Sequence, residues 1–161
     1  MKQFTRYIPS PIGWLRLLSS EKALTSIKFV DACSNWSEQQ PIILGQTAKQ
    51  LEAYFQGNLK SFNLQLEPEG TLFQQKIWKL VQGIEYGATA SYLEIARQSG
   101  SEKNTRAVGF ANGKNPIPII IPCHRIIGSS GKLTGYAGGI ERKRWLLNHE
   151  RTNTKIPGQL F

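Results

Sequence analysis

Asn115-Pro116-Ile117-Pro118-Ile119-Ile120-Ile121-Pro122-Cys123-His124-Arg125-Ile126-Ile127 is the chemically densest stretch of this 161-residue chain. A thiol in such apolar company ordinarily has a raised pKa and is inert. Here it stands beside one of the chain's two histidines, with an arginine one residue further on. Those are the side-chain types that accept a thiol proton or stabilise a thiolate. The proline-and-polar steps inside the apolar run suggest a constrained turn that aims these groups. Adjacency alone leaves two readings open with equal weight: an activated nucleophile, or a buried structural cysteine with an incidental histidine neighbour, since free cysteine is among the most buried residue types.

Upstream of this stretch the pattern is helical. Thr71 and Gln74 have capping-box spacing, and Phe73, Ile77, Leu80 and Val81 form an apolar stripe that stops at Gly83. A second capping box, Ser91 with Glu94, predicts a short helix through Ile95 and Ala96, broken by Gly100. A further helix is expected from about Lys103 to Asn112. Two short helices joined by a glycine-containing turn form a helix-turn-helix pattern, whose second helix carries Lys103, Asn104 and Arg106. Many such pairs bind nothing, and its place in the basic half of the chain favours nucleic acid. Downstream, residues 113–139 are rich in Gly and Pro. A last helix is expected over Ile140–Glu150, with Arg142, Lys143 and Arg144 beside Trp145, Leu146 and Leu147, and the tail from Arg151 reads as loosely ordered.

The first half has a different character. Phe4–Ile8, Trp14–Leu18 and Leu24–Phe29 read as strands, with Pro9, Pro11 and Gly13 between the first two. Pro41 opens a helical pattern with Leu44, Ala48, Leu51 and Phe55 on one face and Gly57 as its stop. Phe62, Leu64 and Leu66 alternate as one more strand would. Glu67-Pro68-Glu69-Gly70 reads as a linker. The expected fold class is therefore α+β: an N-terminal antiparallel sheet domain with a helix over residues 1–69, then a helical domain over residues 70–161.

Charge follows the same division. Residues 1–72 hold seven Lys/Arg against six Asp/Glu, and residues 73–161 hold thirteen against five, so the net charge of +9 lies almost wholly in the second half. That is the footprint of a domain facing a polyanion, although a solvated basic surface gives the same count. No segment reaches the length of a membrane span, and the first residues lack the apolar run of a signal peptide, so a cytoplasmic protein is expected. With two cysteines, Cys33 and Cys123, and two histidines, His124 and His149, both thiols are expected free and no metal site is expected. Cys33 is read as a simple buried or half-exposed thiol.

Asn115-Pro116-Ile117-Pro118 through Pro122-Cys123-His124-Arg125 resembles the active-site signature of the 6-O-alkylguanine-DNA alkyltransferases, the methylated-DNA–protein-cysteine methyltransferases. The resemblance covers Phe73 to Glu150 and includes Ser91-Tyr92, Thr105-Arg106-Ala107-Val108-Gly109, Gly135-Tyr136-Ala137-Gly138-Gly139 and Trp145-Leu146-Leu147-Asn148-His149-Glu150. The first half matches only in general layout. The resemblance implies a ribonuclease H-like N-terminal domain and a winged-helix-like helix-turn-helix in the C-terminal one. It also implies single-turnover transfer of an alkyl group from the 6-oxygen of guanine, and from 4-O-methylthymine, to Cys123.

Roles come with the resemblance, residue by residue. Cys123 is the nucleophile and permanent acceptor, His124 the base acting through a water, and Glu150 the group that orients and polarises His124. Asn115 braces the turn holding Cys123 against the recognition helix, and Tyr136 donates a hydrogen bond to the departing guanine. Arg106 fills the stack vacated by the flipped nucleotide, and Tyr92 crowds the 3′ phosphate. Ser91, Lys103, Asn104, Arg125 and the backbone N–H of Ala137 complete the set expected to meet DNA or the flipped base. His149 is expected to be structural. The implied partner is double-stranded DNA bearing 6-O-alkylguanine, met by a monomer with no cofactor. This reading requires the Cys123 sulfur to be an exposed, activated thiolate at the bottom of a purine-sized pocket.

Ala137 stands where some relatives have serine, which preserves the N–H. The zinc ligands of certain relatives' first domain have no counterparts. Two alternatives belong to other classes: an alkyltransferase-like lesion-binding protein, which would lack the acceptor cysteine, and a helix-turn-helix regulator, which would need no Pro-Cys-His-Arg segment.

Overall fold

Short alternating apolar runs at the start of the chain pair into a meander. The structure, a computed structural model, describes residues 2–154. Strands β1 (Phe4–Ile8), β2 (Trp14–Ser19) and β3 (Leu24–Val30) form an antiparallel sheet in the order β1-β2-β3. The β1–β2 turn closes through Ser10, whose Oγ donates to the Gly13 carbonyl, while Gly13 takes a φ of +112° that favours glycine. Phe4, Ile8, Leu15, Leu17, Leu24 and Ile27 are buried beneath helix α1 (Ile42–Phe55). That helix buries Ile43, Leu44, Ala48, Leu51 and Tyr54. The expected stripe ended on Phe55, but Tyr54 takes the core position and Phe55 lies half-buried beside it.

The alternation at Phe62, Leu64 and Leu66 does not make a strand. Leu66 forms a single parallel bridge to Leu24, and the three side chains pack partly buried against the core. Apolar alternation reflects which side is buried, and a lone segment can follow a core surface without a ladder partner.

Helix α2 (Leu72–Gln82) begins with the expected capping box: Thr71 Oγ1 accepts from the Gln74 N–H at 3.1 Å, and the Gln74 side chain accepts from the Thr71 N–H at 3.0 Å. Two-residue strand β4 (Ala90–Ser91) runs into α3 (Tyr92–Ser99), where Ser91 caps the Glu94 N–H but only that half of the second box forms. Gly100, at φ +121°, ends α3. The helix expected over Lys103–Asn112 is a 3-10 turn, Glu102–Asn104, followed by α4 (Thr105–Gly113). α4 packs against α2 and α3, with the Trp78 indole N–H donating to the Ala111 carbonyl at 2.8 Å. After the cysteine turn, β5 (Ile126–Ile127) pairs in parallel with β4.

Helix α5 (Ile140–Asn153) runs one turn beyond the expected end, so Glu150 sits within it and not at its terminus. Of the tail read as loose, Arg151–Asn153 is helical, and positions from 155 lie outside the described residues. The two halves are joined where the Ile27 N–H of β3 donates to the Pro116 carbonyl at 2.9 Å. None of the described helices is long and apolar enough to cross a membrane.

Candidate active site

Proline spacing and one strained residue shape the loop that delivers the thiol. The Ile121 N–H donates to the Ile117 carbonyl at 2.9 Å, the Cys123 N–H to Ile121 at 2.7 Å, and the Arg125 N–H to Pro122 at 2.9 Å. Ile119 has a φ of +76°. For a β-branched residue that conformation costs on the order of 1–3 kcal/mol and persists only where the surroundings enforce it. Asn115 provides part of that enforcement: its amide donates to the Ile121 carbonyl at 2.8 Å, and its oxygen accepts from the Ile117 N–H at 2.9 Å. The bond from α4, the helix expected to meet DNA, to the cysteine comes instead from Asn112, whose amide donates to the Cys123 carbonyl at 3.3 Å. The sequence reading missed Asn112. Its signal was an amide on the buried face of α4, beside Val108 and Ala111.

Glu150 organises the charged centre. Its Oε2 accepts from His124 Nε2 at 2.7 Å and from the Tyr54 hydroxyl at 2.6 Å. Arg125 grips both oxygens, at 2.8 and 3.1 Å, and the Gly87 N–H adds a longer bond to Oε1. Burial opposes ionisation of this carboxyl, but the hydrogen bonds from His124 and Arg125 and the Arg125 charge outweigh it, holding Glu150 well below the usual carboxylate range. An ionised carboxylate only accepts, so His124 must donate from Nε2. Burial, despite the Glu150 contact, pushes His124 below its ordinary value and keeps it neutral. A neutral imidazole that donates from Nε2 has its lone pair on Nδ1. That atom is buried with no partner among the described residues.

The thiol at rest corrects the expectation of an exposed thiolate. Cys123 is only 4% exposed, and burial pushes its pKa up to about 11. The Asn115 amide, the Lys143 charge and the Cys123 and His124 backbone amides act the other way without prevailing. The resting sulfur is therefore a neutral thiol that must lose its proton during the reaction. Lys143, missed as a site residue, is itself fully buried and donates to the Ile126 and Thr134 carbonyls at 2.6 and 2.8 Å. It thus ties β5 to the loop carrying Tyr136. The Tyr136 hydroxyl is buried without a partner among the described residues, close enough to Cys123 for the two to interact electrostatically. Phe29 packs edge-on against the Tyr136 ring, and Arg142 stacks over Phe29 while donating to the Ile12 and Gly138 carbonyls.

Arg106 and Lys103 are exposed at the start of the helix-turn-helix's second helix and in the turn before it. Ala137 is exposed beside Tyr136. Tyr92 is half-buried, its ring near Gly109 of α4 and its hydroxyl accepting from Thr134 at 3.4 Å, so it lies between α4 and the Tyr136 loop. Two residues expected on the DNA face have prior engagements: the Asn104 amide donates to Ser99 Oγ, and the Ser91 hydroxyl caps α3. Arg125 is a clear correction. Its guanidinium is buried on Glu150 and the Ile84 carbonyl, where no phosphate can reach it, because an ionised buried carboxylate demands a countercharge. His149 stacks on Trp145 and bonds the Tyr54 carbonyl, a packing role. Cys33 is exposed, not buried. No cluster of three or more His, Cys, Asp or Glu that could hold a metal occurs among the described residues.

Two family models match the chain: the ribonuclease-like domain of 6-O-methylguanine DNA methyltransferase over residues 4–68, and its DNA-binding domain over residues 72–152. Among curated proteins it is 45% identical to a methylated-DNA–protein-cysteine methyltransferase of Mycolicibacterium paratuberculosis, covering 97% of each chain. It is 48% identical to a protein of that name from Methanosarcina barkeri, over 92% of this chain and 97% of that one. Among solved structures, the O6-methylguanine methyltransferase of Mycobacterium tuberculosis superposes with a TM-score of 0.86 at 45% identity, over 98% and 97% of the two chains. OGT of the same organism in complex with DNA gives 0.85 at 49% identity, over 92% and 93%. With both domain models in register and near-full-length relatives above 40% identity, this chain belongs to the 6-O-methylguanine-DNA methyltransferase family.

Proposed function

We propose that this protein repairs DNA by transferring the alkyl group of 6-O-alkylguanine, and of 4-O-methylthymine, to the sulfur of Cys123, once per molecule. The observation that carries the proposal is the orphaned His124 Nδ1, whose lone pair is forced by an ionised Glu150. The Cys123 thiol proton passes, through a water, to that nitrogen. The sulfur attacks the alkyl carbon from the side opposite the 6-oxygen, the carbon–oxygen bond breaks, and its electron pair goes to the base. Tyr136 donates its unpaired hydroxyl hydrogen bond as charge develops there. The proton gained by His124 returns to the guanine, leaving an S-alkylcysteine and a repaired base. A thioether has no easy leaving group, so the chain is spent.

The target carbon is inaccessible in stacked DNA, and the nucleotide must flip out at a cost of a few kcal/mol. Arg106 fills the gap, Tyr92 crowds the 3′ phosphate, and the Ala137 N–H meets the 6-oxygen. Lys103 holds the backbone, while Ser91 and Asn104 fix the helix-turn-helix through their bonds to the Glu94 N–H and Ser99 Oγ, giving affinity without sequence preference. In this proposal residues 70–161 carry both DNA binding and transfer, residues 1–69 form the supporting domain, and the protein works as a cytoplasmic monomer on double-stranded DNA.

The test is stoichiometry. With excess 6-O-methylguanine duplex, repair plateaus at one lesion per protein molecule, and continued turnover would reject single-use transfer. Replacing His124 with Phe lowers the single-turnover rate by about 10²–10⁴-fold while lesion affinity in a gel-shift assay is kept. Arg106→Ala, on an exposed side chain, lowers duplex repair by about tenfold but leaves reaction with the free alkylated base near wild type, because only the duplex requires flipping. Equal loss on both substrates would remove Arg106 from that role.

A further inference from the structure

The N-terminal domain reaches into the reactive centre through one hydroxyl. Tyr54, in α1, is fully buried, and its OH donates at 2.6 Å to Glu150 Oε2, the same oxygen that receives His124 Nε2–H. The ring is fixed on several sides: Phe55, Phe62, Tyr86 and His149 all lie with ring centroids between 5.3 and 6.0 Å of it. Its carbonyl also accepts from His149 on α5, so the backbone and side chain of one residue both engage the helix that bears Glu150. Packing alone would be served by phenylalanine. A buried hydroxyl aimed at an already well-held carboxylate oxygen calls for another reason.

We propose that Tyr54 is a positioning residue for alkyl transfer: by sharing Glu150 Oε2 with His124, it sets the orientation and proton affinity of the imidazole that receives the thiol proton. The inference rests on the transfer reaction proposed above. Donors on one oxygen compete for its electron density, and Tyr54 adds a short bond to the oxygen that His124 shares with a longer bond from Arg125, so the Tyr54 hydrogen bond weakens the pull of the carboxylate on His124. Without it, the carboxylate favours the imidazolium more strongly, and His124 stays protonated to higher pH, unable to accept from the thiol. The other charged or titratable groups around the pair are Arg125, Lys143, Cys123 and Tyr86, with His149 against the Tyr54 ring and Tyr136 within electrostatic reach of Glu150. Arg125 and the Gly87 N–H remain on Glu150 when the hydroxyl is removed, so the carboxylate keeps its place. Burial and the neighbouring carboxylate together raise the Tyr54 hydroxyl far above its ordinary range, so it remains a donor throughout.

The experiment is the single-turnover rate on a 6-O-methylguanine duplex as a function of pH, for wild type, Tyr54→Phe and protein with 3-fluorotyrosine at position 54. The Tyr54→Phe acid limb moves to higher pH by roughly one unit, so the rate on that limb falls about tenfold, while lesion affinity and the high-pH plateau change by less than about threefold. The fluorinated phenol, a stronger donor in the same packing, moves the limb the opposite way. An acid limb unmoved in both variants, with wild type active, overturns the role of Tyr54 alone, even if melting temperature drops. A wild type that transfers nothing overturns the underlying reaction instead.

Discussion

Cys123→Ser abolishes alkyl transfer while leaving lesion binding in place. The serine hydroxyl occupies nearly the same volume in a site only 4% exposed, so the fold tolerates it. Its oxygen is far harder to deprotonate than the thiol, whose pKa burial has already pushed up to about 11. His124, held neutral at low basicity by burial, cannot remove that proton. The expected loss is at least about 10³-fold, below the detection limit of a labelled-methyl assay, with gel-shift affinity for the lesion duplex unchanged. Residual transfer in the serine variant, to any acceptor, would mean that the sulfur is not the nucleophile. Loss of binding together with transfer would mean that the cysteine supports the pocket rather than the chemistry.

Glu150→Gln injures both fold and reaction. The carboxylate is 1% exposed and is the partner of a buried guanidinium. A neutral amide leaves Arg125 without countercharge, which costs about 3–5 kcal/mol, a large share of the 5–15 kcal/mol typical of whole domains. Denaturant unfolding should show it as a lower midpoint. The amide can also present either a donor or an acceptor to His124, so the Nδ1 lone pair is no longer enforced, and transfer falls by about 10²–10⁴-fold under conditions where the variant is folded. The wild-type protein has a matching pH signature. Glu150 titrates lower in the folded than in the unfolded chain, so its stabilisation is fully present above the unfolded value near ~4.3 and is lost as pH falls below that toward the folded value. Glu150→Gln should flatten this acid limb of the stability curve, and an unchanged limb would assign acid unfolding to other groups.

Local chemistry was legible in the sequence where neighbours in the chain are also partners in space. The Thr71–Gln74 capping box, the Gly100 break and the apolar beat of β1 to β3 appear as read, because each depends on contacts a few residues apart. The pairing of His124 with Glu150 spans 26 residues and could be expected only from the resemblance. What escaped were consequences of burial. Arg125 looks like a phosphate contact beside an active-site histidine until packing places a carboxylate against it. Cys123 looks activated until its desolvation is weighed against the amides and the lysine around it. Lys143 stands between Arg142 and Arg144 in a basic run, yet it alone of the three points inward, since a helix turns each residue by about 100°. Tyr54 lies 96 positions from its carboxylate, in a domain whose sequence suggested only support.

Peptide mapping after reaction tests the central claim most directly. The protein is incubated with an oligonucleotide containing 6-O-methylguanine, digested and analysed by mass spectrometry. The mass of one methyl group should appear on the peptide bearing Cys123, on every active molecule, with the peptide bearing the exposed Cys33 unmodified. A methyl on Cys33, on any other residue, or on no residue while the lesion disappears would contradict it.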